Sequence, residues 1–162
     1  MKSFALLVLL ATLATAGVAT ANSASSNDGA LSVKNGDGRV VMIGRGVLIG
    51  RFDTGQVIIK DLNPNDGSKP IVTGADTTQP LTEGRTRYSG ANVRFRIIGG
   101  AFSATVAGVD IDLSMVGRGM VTLKGGTDTS DGTYAMNGGS PQSLPSFALT
   151  CPLNAATVCA GG

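Results

Sequence analysis

From Val93 to Ile97 apolar residues alternate with Arg94 and Arg96, the two-residue period of a strand with one buried face. Gly99-Gly100 follows, and a glycine pair accepts the positive φ angles of a two-residue turn. Folding the chain about it predicts a hairpin with Ile98 opposite Ala101 and Val93 opposite Val106. One face then holds Val93, Phe95, Ile97, Phe102, Ala104 and Val106, and the other Arg94, Arg96, Ser103 and Thr105. A slip of one residue would mix the two sets, so the pattern specifies the register. Past Gly108 the alternation resumes, with Val109, Ile111 and Leu113 on one side and Asp110 and Asp112 on the other. The stretch from Ala91 to Lys124 therefore reads as three or four successive strands.

The same period organises the flanks more loosely. Arg39 to Ile43 (RVVMI) reads as a strand apolar on both faces, Gly44-Arg45-Gly46 interrupts it, and Val47 to Phe52 continues. Asp53-Thr54-Gly55 is a turn signal, and Gln56 to Lys60 the returning strand. Both faces of this second hairpin carry apolar residues, which leaves its register open. Asp61 to Arg87 contains Pro64, Pro70 and Pro80. A structureless loop of that length is unusual in a compact domain, so a short edge strand is expected at Ile71 to Thr73. Further strands are expected at Thr133 to Met136 and around Phe147 to Leu149. The five residues Met42 to Gly46 (MIGRG) recur as Met115 to Gly119 (MVGRG). Glycines on both sides of an arginine within a strand predict a bulge or bend, as at a sandwich or barrel corner.

These elements predict an all-β fold: an antiparallel sandwich or partly closed barrel of roughly eight to ten strands with hairpin connections. Residues 1–21 read as a secretory signal peptide, with Met1-Lys2 as the positive start, an apolar stretch from Phe4 to Ala16, and Ala19-Thr20-Ala21 as the cleavage motif. Residues 22–38, rich in Ser, Asn, Gly and Asp, are expected as a flexible leader. Residues 39–162 form a single domain whose cysteine-loop tail starts near 137. No segment after the signal is long and apolar enough to span a membrane as a helix.

Composition narrows the chemistry. Without Lys2, twelve basic side chains face eleven acidic ones, a balance with no overall drive toward nucleic acid or anionic membrane. Aromatics that could stack bases are also scarce, and nucleic acid is not an expected partner. The chain has no histidine. That removes Ser-His-Asp and Cys-His hydrolases, histidine-ligated metals and the usual base at neutral pH. No nucleophile elbow, Walker or dinucleotide pattern is present. Cys151 and Cys159 are the only cysteines; in an exported chain they are expected to pair, a short loop worth about 2.5 kcal/mol.

Three groups of residues are candidates for a site. Asp110 and Asp112, two apart on a strand, are the carboxylate pair a glycosidase would use. The aromatic platforms that usually accompany such a cleft are missing, because the chain has no Trp and only Tyr88 and Tyr134. Asp61, Asn63, Asn65 and Asp66 form an oxygen-rich turn, and Asp128 with Asp131 another. The first departs from the helix-loop-helix calcium pattern: Gly67 falls one position late and Val72 stands where the bidentate Glu belongs. Turns favour Asn and Asp for backbone reasons alone. A structural calcium is thus the one cofactor weighed, and none is expected. Arg94 and Arg96, with Arg85 and Arg87, can form a basic strip for the phosphates or carboxylates of a cell-wall polymer, or for an acidic protein partner. The alternative is that they simply keep an exposed sheet face soluble.

Arg87-Tyr88-Ser89-Gly90, Val93 to Gly100 (VRFRIIGG), Ile111 to Ser114 (IDLS), Gly117-Arg118-Gly119, Gly132-Thr133-Tyr134 and Asn137-Gly138-Gly139 occur in that order. In this the chain resembles a group of small exported proteins of high-GC Gram-positive bacteria that carry no assigned function. The similarity spans roughly Gly46 to Gly139, and the cysteine-bearing tail departs from it. It implies a location in the bacterial envelope or medium, and no activity or catalytic residue. The expectation is an exported, non-catalytic β-module that binds an envelope component or a protein. A self-associating surface subunit is the alternative, and a carboxylate-dependent hydrolase the third.

Overall fold

The computed structural model describes residues 28–126 and 131–154. Seven strands form an antiparallel sheet: β1 (Gly29–Asp61), β2 (Ile71–Thr73), β3 (Thr77–Pro80), β4 (Arg85–Gly125), β5 (Thr133–Met136), β6 (Gln142–Ser143) and β7 (Leu149–Pro152). The order is β2-β4-β1-β5-β6, with β3 and β7 also pairing with β4. All-β and antiparallel, the chain matches the expected class, and the sheet is folded as a sandwich that does not close into a barrel.

Two strands dominate. β1 has 33 residues and β4 has 41. Drawn straight, β1 would reach about 110 Å, several times the radius of a domain this size, so both strands must bend. Their register shows how. β1 pairs with β4 along both of its edges: Met42 lies between Ala104 and Val121, and Leu48 between Met115 and Ile97. Each long strand thus takes part in two ladders. In the first, β6, β5, residues 29–36, 111–117, 47–52, 93–98 and β2 lie side by side. In the second the order is β7, residues 120–123, 38–45, 101–108, 54–61, 85–91 and β3.

The inner rows of the two ladders form one core. Across the first ladder run Met136, Leu31, Met115, Leu48 and Ile97, neighbours in register and all buried. Across the second run Leu149, Leu123, Val40, Val106 and Val57. Beside the first row, Gly50 leaves a gap between Leu113 and Phe95 that the Phe95 ring fills; a Cβ at Gly50 would collide with it. Burying such rows supplies about 1.5–3 kcal/mol for each large side chain.

The bends fall where the repeated Gly-Arg-Gly predicts them. The two copies pair with each other: Gly44 faces Gly119, Arg45 faces Arg118 and Gly46 faces Gly117. At Gly117 φ is +147° and at Gly46 +137°, values that side chains with a Cβ rarely adopt. A Cβ at Gly117 would also strike the Arg45 carbonyl oxygen. Glycine here lets two backbones approach and both strands turn from one ladder into the other.

Three expectations about connections are corrected. Gly99-Gly100 is no hairpin turn: Ile98 pairs with Val47 and Ala101 with Arg45, so the two glycines lie opposite Gly46 as a β-bulge inside β4. Their φ angles of +78° and +76° suit a bulge as well as a turn. The face assignment survives, because a bulge between two strand segments can preserve which side is buried. Asp53-Thr54-Gly55 is likewise interior to β1, not a turn. Residues 29–38, expected within the flexible leader, belong to β1, which begins at Gly29 and buries Leu31 and Val33. The edge strand at Ile71–Thr73 and the strand at Thr133–Met136 stand where the sequence places them. The last strand, β7, starts at Leu149 and leaves Phe147 exposed. Residues 1–21 and Cys159 lie outside the described residues, and with them the expected signal peptide and the expected cysteine pairing.

Candidate binding groove

The outer face of the first ladder carries two parallel rows of side chains. One runs Ser32, Ser114, Ile49, Arg96, Ile71, each residue in register with the next. The other runs Asp112, Arg51, Arg94, Thr73. Rows on one face are two residues apart along each strand, about 7 Å. Between them, over the backbone of Gly50, Phe95 and Leu113, lies a groove of about 560 Å³ that Lys34 also lines.

Its charge is one-sided. Lys34, Arg51, Arg94 and Arg96 face a single acid, Asp112. Asp112 is already engaged: Arg51 Nη2 and Nε donate to its Oδ2 at 2.7 and 3.1 Å, and the Asn35 N–H donates to Oδ1 at 3.1 Å. Partial burial alone would raise the Asp112 pKa. The Arg51 and Asn35 hydrogen bonds and the field of Lys34 outweigh that and hold the carboxyl below its ordinary range. The Arg51 guanidinium is correspondingly raised, through its hydrogen bond to Asp112. None of the ion pairs among the described residues involves Arg94 or Arg96, and Arg94 stands directly across from Arg51. Like charges opposite each other on a sheet repel.

The four-arginine strip is corrected. Arg94 and Arg96 share the groove, but Arg85 and Arg87 lie in the second ladder, where they pair with Lys60 and Ile58. Arg85 is occupied locally, donating to the Thr82 carbonyl and hydroxyl at 3.2 Å each. The Arg87 Nε is buried without a hydrogen-bond partner among the described residues. The carboxylate pair is corrected too. Asp112 faces the groove, whereas Asp110 sits at an irregularity with φ +53°, outside the groove lining, its N–H donating to Asp37 Oδ1 at 2.9 Å. The strand alternation that would align the two is broken between them.

The oxygen-rich turns have backbone duties. Asp61 Oδ1 accepts the Asn63 N–H at 2.9 Å, and Asp66 Oδ1 accepts the Ser68 N–H at 2.9 Å and the Ser68 hydroxyl. The Ser68 bonds hold the Asp66 carboxyl below its usual range. Asp131 is buried against Gly125 and Gly126, and Asp128 lies outside the described residues. Among the described residues no three His, Cys, Asp or Glu side chains converge as a metal-ligand group.

A second, wider hollow of about 870 Å³ opens at the Gly-Arg-Gly crossing. There Arg45 and Arg118 are matched by Asp66 and Asp28, and Arg118 Nε lies 2.7 Å from Asp28 Oδ1. Balanced charge makes it the weaker candidate. Sequence reading missed Arg51, Lys34, Ile49 and Ile71 as groove residues. The only signal for Arg51 was its register with Asp112, which a sequence does not display. Comparison of the chain with protein-family models, with characterised proteins and with solved structures returns no match.

Proposed function

We propose that the protein is an exported, non-catalytic binding module of the bacterial envelope or medium, and that its ligand surface is the cationic groove on the outer face of the first ladder. The observation that carries the reading is the pair Arg94 and Arg96, held on the sheet without ionic partners among the described residues, at the wall of a groove whose one lining acid, Asp112, is already bound. Guanidinium groups so placed match carboxylate or phosphate oxygens. A hydrolase reading fits less well, because Asp112 is committed to Arg51 and Asp110 lies elsewhere. Export rests on the pattern of residues 1–21.

Self-association through strand edges is the second reading, and the edges speak against it. β2 follows Pro70, β6 follows Pro141 and has two residues, and β3 and β7 end in Pro80 and Pro152. Short edges punctuated by proline resist pairing with another chain.

The test is retention of the mature chain on isolated cell envelopes across a salt series. Retention at low salt that weakens as salt rises, and that Arg94→Ala/Arg96→Ala abolishes, is the expected result. Retention unchanged in the double variant, or none for the wild type, would remove the groove from consideration.

A further inference from the structure

We infer that the groove takes a single-chain anionic amphiphile, with its charged head against Arg51 and Arg94 and its aliphatic chain along Ile49 and Ile71; this rests on the binding-module reading. The two walls differ in kind. On one, Ile49 and Ile71 flank Arg96 in register and are 52% and 46% exposed, leaving branched apolar surface beside an arginine stem. On the other, Arg94 stands across from Arg51 with no ion pair among the described residues, while Arg51 gives its Nε and Nη2 to Asp112; an anion there gains the Arg94 guanidinium and the remaining Nη1 of Arg51. A ligand satisfying both walls must be apolar along one side and anionic at one end.

Other classes fit less well. Sugars are recognised with aromatic platforms. Tyr88 belongs to the second ladder, Tyr134 is buried on the inner face and the Phe95 ring is buried beneath the floor, so the groove presents no aromatic face. An extended peptide would seek an unpaired strand edge. The floor itself offers none, since Gly50, Phe95 and Leu113 are each paired on both sides; the free edge beside the groove is that of β2, three residues long and preceded by Pro70. The size, about 560 Å³, falls among sites for small ligands.

The probe is octyl phosphate, kept below its micelle-forming concentration, titrated into the mature chain by calorimetry and by heteronuclear NMR. Expected are saturable binding of one molecule per chain, at least tenfold tighter than inorganic phosphate, and shifts centred on Ile49, Ile71 and Arg94. Ile49→Thr keeps a β-branched residue at an exposed strand position and should weaken binding about tenfold. Arg94→Gln should weaken it comparably, and Ile43→Thr, an exposed site on the other ladder, should leave it unchanged. Cosedimentation with phosphatidylcholine vesicles that carry lysophosphatidylglycerol, and not with phosphatidylcholine alone, would assign the amphiphile to single-chain membrane lipid; octyl phosphate binding without vesicle binding would assign it to a soluble molecule. Inorganic phosphate binding as tightly as octyl phosphate, with Ile49→Thr silent, overturns the amphiphile and leaves an anion-binding module. Failure of octyl phosphate to bind while envelope retention persists overturns it as well. Loss of both removes the binding-module reading with it.

Discussion

Three glycine-to-alanine substitutions separate the two demands that the strand crossing places on its backbone. Gly99 lies in the bulge at φ +78° with nothing near the Cβ it would gain, so Gly99→Ala carries only the conformational cost, about 1–2 kcal/mol. Gly44 has no positive φ, but a Cβ there would strike the Arg118 carbonyl oxygen and lie 2.9 Å from the Gly119 Cα. Gly44→Ala therefore carries the steric cost alone, about 1–3 kcal/mol for backbone displacement in a packed region. Gly117 combines φ +147° with the Arg45 carbonyl oxygen and the Gly46 Cα at 2.9 Å. Its substitution should cost about 2–5 kcal/mol, a large share of the roughly 5–15 kcal/mol that holds a domain together. Urea unfolding of the mature chain followed by circular dichroism measures each midpoint, and an unchanged slope confirms that the same surface is exposed. The expected order of destabilisation puts Gly117→Ala above both single-cost variants. A neutral Gly44→Ala would show that the two Gly-Arg-Gly copies do not pack against each other. Gly117→Ala no worse than Gly99→Ala would refute the close approach at Arg45.

The Asp112 carboxyl has a pKa below its unfolded value, so its stabilising contribution is present above about pH 4 and is lost as pH falls through the folded-state pKa. Asp112→Asn should accordingly lower the urea midpoint at pH 7 and differ little from wild type at pH 2; an equal difference at both pH values would refute the linkage. Leu48 is fully buried between Met115 and Ile97, and Leu48→Ala should cost about 2–5 kcal/mol, read from the same urea transitions. A loss below about 1 kcal/mol would mean that the inner row is not packed as described.

The sequence carried the local decisions and not the distant ones. Alternation from Val93 to Ile97 and from Phe102 to Val106 set which side chains are buried, because a strand has only two faces. It could not say which strand lies alongside. Gly99-Gly100 is equally good chemistry for a tight turn and for a bulge, and only the partner segment, Arg45 to Val47, decides between them. The same gap hid the groove. Arg94 and Arg96 were recognisable as an outward pair, but Arg51 and Asp112 meet only because residues 47–52 lie between 93–98 and 112–117. Apolar residues on both faces of Val47 to Phe52, which left that register open, have a partial explanation in the groove: Ile49 faces outward along its wall.

Because β1 and β4 each run through both layers, neither layer contains a strand wholly its own at its centre. Their pairing joins residues 29–61 to 85–125, so almost no stabilising contact can form until the ends of a long loop have met. Chains of this kind search slowly, since closure entropy is spent before any pairing rewards it. Once assembled, the long strands are joined to each other by no hairpin that can peel away; the hairpins of β3 with the start of β4 and of β5 with β6 are short and lie at the edges. Amide protons at the centres of the two ladders should therefore exchange together, through one global opening. The sheet that carries the groove is as firmly held as the fold itself.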